Sequence, residues 1–361
     1  MAISMLVPRV AAAEERAIDV RAVSEVGGYS DTDHVSVITP SITGIVSSPT
    51  AGWSASGRYL VDVISAASVD IVSTASRSWR EVRQAGTFGG TYKPGSTGGS
   101  VTLDYSSEPD YQALTLGGSL SQDFFSKNLT LLVGYTYSHD VAGRTGTPFS
   151  TFSRTVDASA LKAGATIVLG PATLLSVVGE LVLSNGDSSK PYRYIPMFAP
   201  GTNVPRGASI DTVNALRLAA RPLEQLPLSR DRYVLSGHLA HRLDTMTLRA
   251  DERLYDDTWG LLASTTDARV LFDLGRRFET GPRARFHIQK PVTFWQRAYV
   301  VEPGLSFPAL RTGDRELGPL YNISGGGTVR WFLGSDFDPR SWALRLDFEA
   351  TSTRYLDDLY V

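Results

Sequence analysis

Arg249, Asp251 and Arg253 stand two residues apart in TLRADERLYDD, and the same spacing of charge returns along the rest of the chain. Asp267, Arg269 and Asp273 lie in TDARVLFDL, Arg283 and Arg285 in GPRARFHIQ, Arg330 in GTVRWF, and Arg345, Asp347 and Glu349 in ALRLDFEA. A spacing of two places side chains on one face of an extended strand. Guanidinium and carboxylate groups on a common wet face can do two things. They can line a passage and set which ions enter it, or they can pair across strands and stiffen the wall. Seven arginines against five acids make the face slightly cationic, and both readings are carried forward.

Other chemistry-bearing residues are sparser. Asp62 and Asp70 flank and enter the small-residue stretch SAASVDIVSTAS, which could fold inward as a constriction with its carboxylates on a cation. The plainer reading is a hairpin with hydroxyl–backbone bonds. Asp31, Asp33 and His34 in YSDTDH match no metal-ligand spacing and read as a solvated loop, so no metal and no cofactor are expected. Serine, histidine and aspartate are present, but no GxSxG, HExxH or phosphate loop frames them. His139 and Asp140 are adjacent in sequence, which does not make a dyad. The chain is therefore read as a non-enzyme, with an outer-membrane hydrolase as a minor alternative. It has no cysteine, which removes disulfides and thiolate chemistry. Its net charge of −2 gives no reason to expect a nucleic-acid partner.

The elements that must carry these residues are strands. In KNLTLLVGYTY, Leu129, Leu131, Val133, Tyr135 and Tyr137 alternate with Thr130, Leu132, Gly134 and Thr136. One face is apolar and the other is small or polar, and strands of about ten residues with this pattern are the signature of a transmembrane β-barrel. The apolar run from Ala165 to Leu183 approaches helix-spanning length. Gly170-Pro171 interrupts it and Glu180 lies inside it, so it reads as a hairpin.

Short connections such as SKN, GPA, LDT and ETG alternate with longer ones, the largest running over residues 185–230. Outer-membrane barrels have short periplasmic turns and longer extracellular loops. The 185–230 segment is therefore read as a large extracellular loop, and Trp53, Trp259, Trp295, Trp331 and Trp342 as strand-end girdle residues. The count is fifteen strands, whereas single-chain bacterial barrels have an even number. Either VNALRLAAR, residues 213–221, is a further strand, or the closing C-terminal strand is missing. The second is preferred, because the first would invert every later turn. Residues 1–14 read as a signal-peptide remnant or a disordered N-terminus, on the strength of Ala11, Ala12 and Ala13. Residues 15–361 read as one barrel domain.

Several stretches carry a resemblance: YLVDVISAASVDIVSTAS from Tyr59, GGSLSQDFF ending at Phe125, KPYRY from Lys190, YDDTWG from Tyr255 and GDREL from Gly313. With them the chain resembles a family of Gram-negative envelope proteins known as domain of unknown function 3570. The resemblance implies an outer-membrane β-barrel with a further C-terminal strand, and it brings no catalytic residues. The expectation is thus an all-β, antiparallel transmembrane barrel of about 14–16 strands in a Gram-negative outer membrane. It would contact lipid, be inserted by the barrel-assembly machinery, and act as a passive pore for small polar solutes. The alternative is a plugged barrel that scaffolds a periplasmic or surface partner.

Overall fold

The computed structural model describes residues 2–7, 18–32, 35–66, 79–304, 306–334 and 342–360. Alternation becomes strand throughout. The long strands are β2 (Asp19–Ser30), β3 (Ser36–Ser48), β4 (Trp53–Ala66), β5 (Trp79–Tyr92), β6 (Thr97–Glu108), β7 (Tyr111–Phe124), β8 (Leu129–Ala142), β9 (Arg154–Gly170) and β10 (Thr173–Gly186). They continue as β12 (Ser229–Arg242), β13 (Met246–Asp257), β14 (Leu262–Leu274), β15 (Phe278–Gln289), β17 (Leu320–Phe332) and β18 (Ala343–Tyr355). These are the fifteen strands counted from the pattern. Each pairs antiparallel with its neighbours, and Ala165–Leu183 is the β9–β10 hairpin.

The gap between β2 and β18 is occupied by β1 (Ala2–Val7), which pairs with residues 22–27 on one side and 344–347 on the other. The strand order is that of a closed barrel. Closure satisfies backbone groups that would otherwise meet hydrocarbon. The strand at Ala2–Val7 falls in the segment read from the sequence as a signal remnant or disordered end. Residues 8–17 lie outside the described residues.

Residues 213–221 do not form a wall strand. Helix α1 (Ile210–Leu216) occupies the start of that stretch, with Ser209 accepting from the Thr212 backbone N–H as its N-cap. Arg217 is extended, and residues 217–221 hold no strand.

Side chains such as Leu116, Leu120, Val133, Tyr135, Phe88 and Phe348 are exposed on the outer, apolar face. The strongly buried apolar residues sit elsewhere, in the connections. Asp187–Leu228 joins β10 to β12, and Lys290–Pro319 joins β15 to β17. They pair in parallel through two short strands, β11 (Met197–Phe198) and β16 (Tyr299–Val300). Ile195, Met197, Phe198, Val213 and Tyr299 are each at most 2% exposed. These two connections therefore form a cap with its own hydrophobic core at the loop end of the barrel. The connection from β6 to β7 at that end is tight, Pro109 and Asp110 alone.

Candidate functional site: the arginine wall and its cap

Register converts the spaced charges into rows across strands. Arg249 of β13 lies opposite Arg269 of β14, which lies opposite Arg283 of β15. The next row runs His238, Asp251, Asp267, Arg285. Arg330 of β17 lies opposite Arg345 of β18. The polar face lies opposite the exposed apolar one and forms the inner wall. Like charges directly opposite one another destabilise a sheet, so a wall built only for stiffness would alternate sign along each row. This one does not.

All five sequence-predicted acids are occupied. Asp251 takes His238, and Asp273 takes Arg242. Asp347 pairs with Arg345 at 2.8 Å. Arg283 reaches Asp267 at 2.5 Å and Glu349 at 2.5 Å. Arg249, Arg253, Arg269, Arg285 and Arg330 have no carboxylate within ion-pair distance among the described residues. Arg330 instead lies over the Phe332 ring, 4.5 Å from its centroid. Asp251, Arg253, Asp267, Arg269, Arg283 and Arg285 all border one open recess of about 350 Å³.

The other predicted positions behave differently. Asp62 of β4 accepts from Thr39 Oγ1 at 2.5 Å and pairs with Arg83 at 3.6 Å, an ordinary cross-strand arrangement. Asp70 lies outside the described residues, as do Asp33 and His34. Asp31 accepts from the Val35 backbone N–H at 2.9 Å and closes its own turn. His139 is in β8. It pairs with Asp157 across the sheet at 2.9 Å, and Asp140 points to the opposite face.

The cap was not legible as a unit, yet three of the stretches that carry the resemblance meet in it. Arg193 of KPYRY pairs with Asp314 of GDREL at 2.8 Å. The same guanidinium reaches Glu224 at 3.2 Å. The Glu224 side chain is fully buried, accepting also from Thr312 Oγ1 at 2.6 Å and the Lys190 backbone N–H at 2.9 Å. Burial works against the Arg193 cation, but Asp314 and Glu224 outweigh it and raise its pKa.

In YDDTWG, Asp257 accepts from Arg230, from Tyr255 Oη at 2.7 Å, and from the Trp259 and Leu261 backbone N–H groups at 2.9 and 3.1 Å. Arg230 stacks over the Trp259 ring at 4.2 Å. Gly260 has φ +87, and a Cβ there would stand 2.6 Å from Thr293 Cγ2, so glycine is required where the second connection crosses the turn. Trp259 and Trp295 belong to the cap's apolar core, not to a girdle, because the connections fold over them. Trp53, Trp331 and Trp342 stay at strand ends.

The cap is tied down at widely separated points. Tyr192 donates to Asp110 in the β6–β7 turn at 2.6 Å, and the Gly207 and Ala208 backbone N–H groups donate to Asp358 and Leu359, beyond β18. It thus reaches over the rim from β7 round to β18.

The family described as "Protein of unknown function (DUF3570)" matches residues 14–340. The chain belongs to this family. No curated protein matches it. Among solved structures, the chain is similar to the ferric-catecholate import receptor Fiu from E. coli K12, with 9% identity and a TM-score of 0.46 over 98% of this chain and 64% of that one. The chain thus spans less than two thirds of that receptor's length. The siderophore receptor PirA from Pseudomonas aeruginosa gives 9% identity and 0.41, over 97% and 80%. The anion-selective porin from Comamonas acidovorans gives 9% identity and 0.38, over 96% and 99%.

Proposed function

We propose that this DUF3570 member is an outer-membrane pore of a Gram-negative cell that passes small polar solutes and favours anions. The observation that carries the reading is the run of arginines facing arginines on the inner wall while every predicted acid there is already paired. Such an arrangement costs stability, and what it supplies is a positive potential along a wet surface, which draws small anions in. Outer-membrane lipid covers the apolar face, and the barrel-assembly machinery places it there.

The test is the conductance of the purified, refolded protein in planar bilayers under a salt gradient. A channel whose reversal potential reports anion preference supports the proposal. A correctly folded sample with no open-channel current sinks it. A second reading, a capped barrel serving as a scaffold for a surface or periplasmic partner, is favoured by the cap's separate buried core. Under that reading a partner co-purifies from native membranes and the isolated protein does not conduct.

A further inference from the structure

Glu81, Glu108 and Asp110 form the one group of three or more potential metal-ligating side chains within reach of a common ion among the described residues. One carboxylate oxygen from each lies within 4.8 Å of the others. Glu81 is the third residue of β5, Glu108 ends β6, and Asp110 sits in the two-residue turn after it. The parity that turns Val82 and Phe88 outward turns Glu81 and Arg83 to the inner wall.

Two features separate this cluster from a solvated acidic patch. Glu81 is 8% exposed, and its Oε1 is buried with no hydrogen-bond partner. A buried carboxylate oxygen without a partner is costly. Asp110, also 8% exposed, is held in place from outside the cluster: its Oδ2 accepts from Tyr192 Oη at 2.6 Å and Thr145 Oγ1 at 3.0 Å. Two cations lie near: Arg83 reaches Glu108 at 3.9 Å and is shared with Asp62, and Lys190 also acts on Glu108 through its charge.

We propose that Glu81, Glu108 and Asp110 bind a divalent cation of the calcium type at the rim of the barrel. All three ligands are hard carboxylate oxygens, the set that calcium takes at about 2.3–2.6 Å, with water filling its remaining positions. Three oxygens within 4.8 Å of one another share a centre no more than about 2.8 Å from each, so small side-chain rotations bring them to that distance without moving the strands. The site lies where Tyr192 of the cap touches the wall. A bound ion fixes Asp110 from the inner side while Tyr192 holds it from the other, so the ion fastens the cap to the β5–β7 wall. This inference does not depend on whether the barrel conducts.

The test is equilibrium dialysis of radioactive calcium against the complete, refolded, chelator-stripped protein. One saturable ion per chain is expected, with affinity in the range of extracellular calcium modules, roughly 0.1–1 mM. Glu81→Gln and Asp110→Asn each lower that affinity at least tenfold, while Asp104→Asn, on the same wall outside the cluster, leaves it unchanged. Calcium also slows protease cleavage within Asp187–Leu228 in the wild type and not in Glu81→Gln. Circular dichroism and heat-modifiable gel mobility establish that each variant is folded, and Glu108→Gln replaces either if it is not. Absence of saturable binding by the folded wild type, or equal binding by folded Glu81→Gln, overturns the proposal.

Discussion

The inner walls of β2–β7 and β13–β18 are built from the same alternation and use it differently. In the first, charges mostly face the opposite sign: Arg58 with Glu25 at 3.5 Å, Arg83 with Asp62 at 3.6 Å, and Lys93 with Asp123 at 2.7 Å. Its acids crowd only at the rim, at Glu81, Glu108 and Asp110. In the second, arginine faces arginine and the connections grow into a cap. β6 and β14 stand seven places apart around a ring of sixteen strands, close to opposite. The two walls carry their charge at different heights, the acids at the loop end and the row Arg249, Arg269 and Arg283 nearer the short-turn end. Charge alternation stabilises a barrel where register sets unlike signs opposite, and makes a field where it sets like signs opposite.

The sharpest way to break the contrast is to remove the cap. Glu224→Ala strips the buried partner from Arg193 and Thr312, a loss of roughly 3–5 kcal/mol for a buried ion pair. Proteolysis within Asp187–Leu228 should accelerate while the heat-modifiable gel shift of the barrel persists. If both fail together, cap and barrel are one cooperative unit.

Alkali should loosen the same region more gently. Tyr299 is 2% exposed, donates to the Phe294 carbonyl at 2.9 Å and accepts from the Thr312 backbone N–H at 2.9 Å. Burial pushes its pKa from 10 up to about 12. A pKa raised in the folded state means a contribution to stability that is whole below pH 10 and is lost as pH climbs through 12. Cap proteolysis followed across that window should rise with pH, and Tyr299→Phe should flatten the curve.

Replacing Arg253, Arg269 and Arg285 together by serine sharpens the contrast from the other wall. Anion preference should fall a few-fold, equivalent to about 1 kcal/mol or less for charges facing water and salt, with the shift read from the reversal potential. An unchanged potential would show that these three arginines do not set the selectivity. The smallest effect belongs to Arg58→Ala. Its pair with Glu25 is exposed and should be worth about 0.2–1 kcal/mol, seen as a slight drop in the denaturant midpoint.

Much of the wall was legible because strand geometry has a period of two. The fifteen long strands, the β9–β10 hairpin and the inner face of Arg249 through Glu349 all follow from that period. The Glu81–Glu108–Asp110 group was missed, although the same parity applied to WREVRQAGTFGG would have turned Glu81 and Arg83 inward. Its third member, Asp110, is placed by a turn of two residues, which carries no period. The seat of β1 was equally hidden, since a short apolar segment has no pattern that says which strands it joins.

The sequence by itself determined which residues face in, because consecutive side chains on a strand must alternate whatever lies beside them. Which residues face each other was decided only by the tertiary structure. Register paired Arg249 with Arg269 and Arg269 with Arg283, and the β6–β7 turn brought Asp110 to Glu81 and Glu108. Folding over the rim brought KPYRY, YDDTWG and GDREL into one core. Those are long-range relations between segments distant in the chain, and no local spacing encodes them.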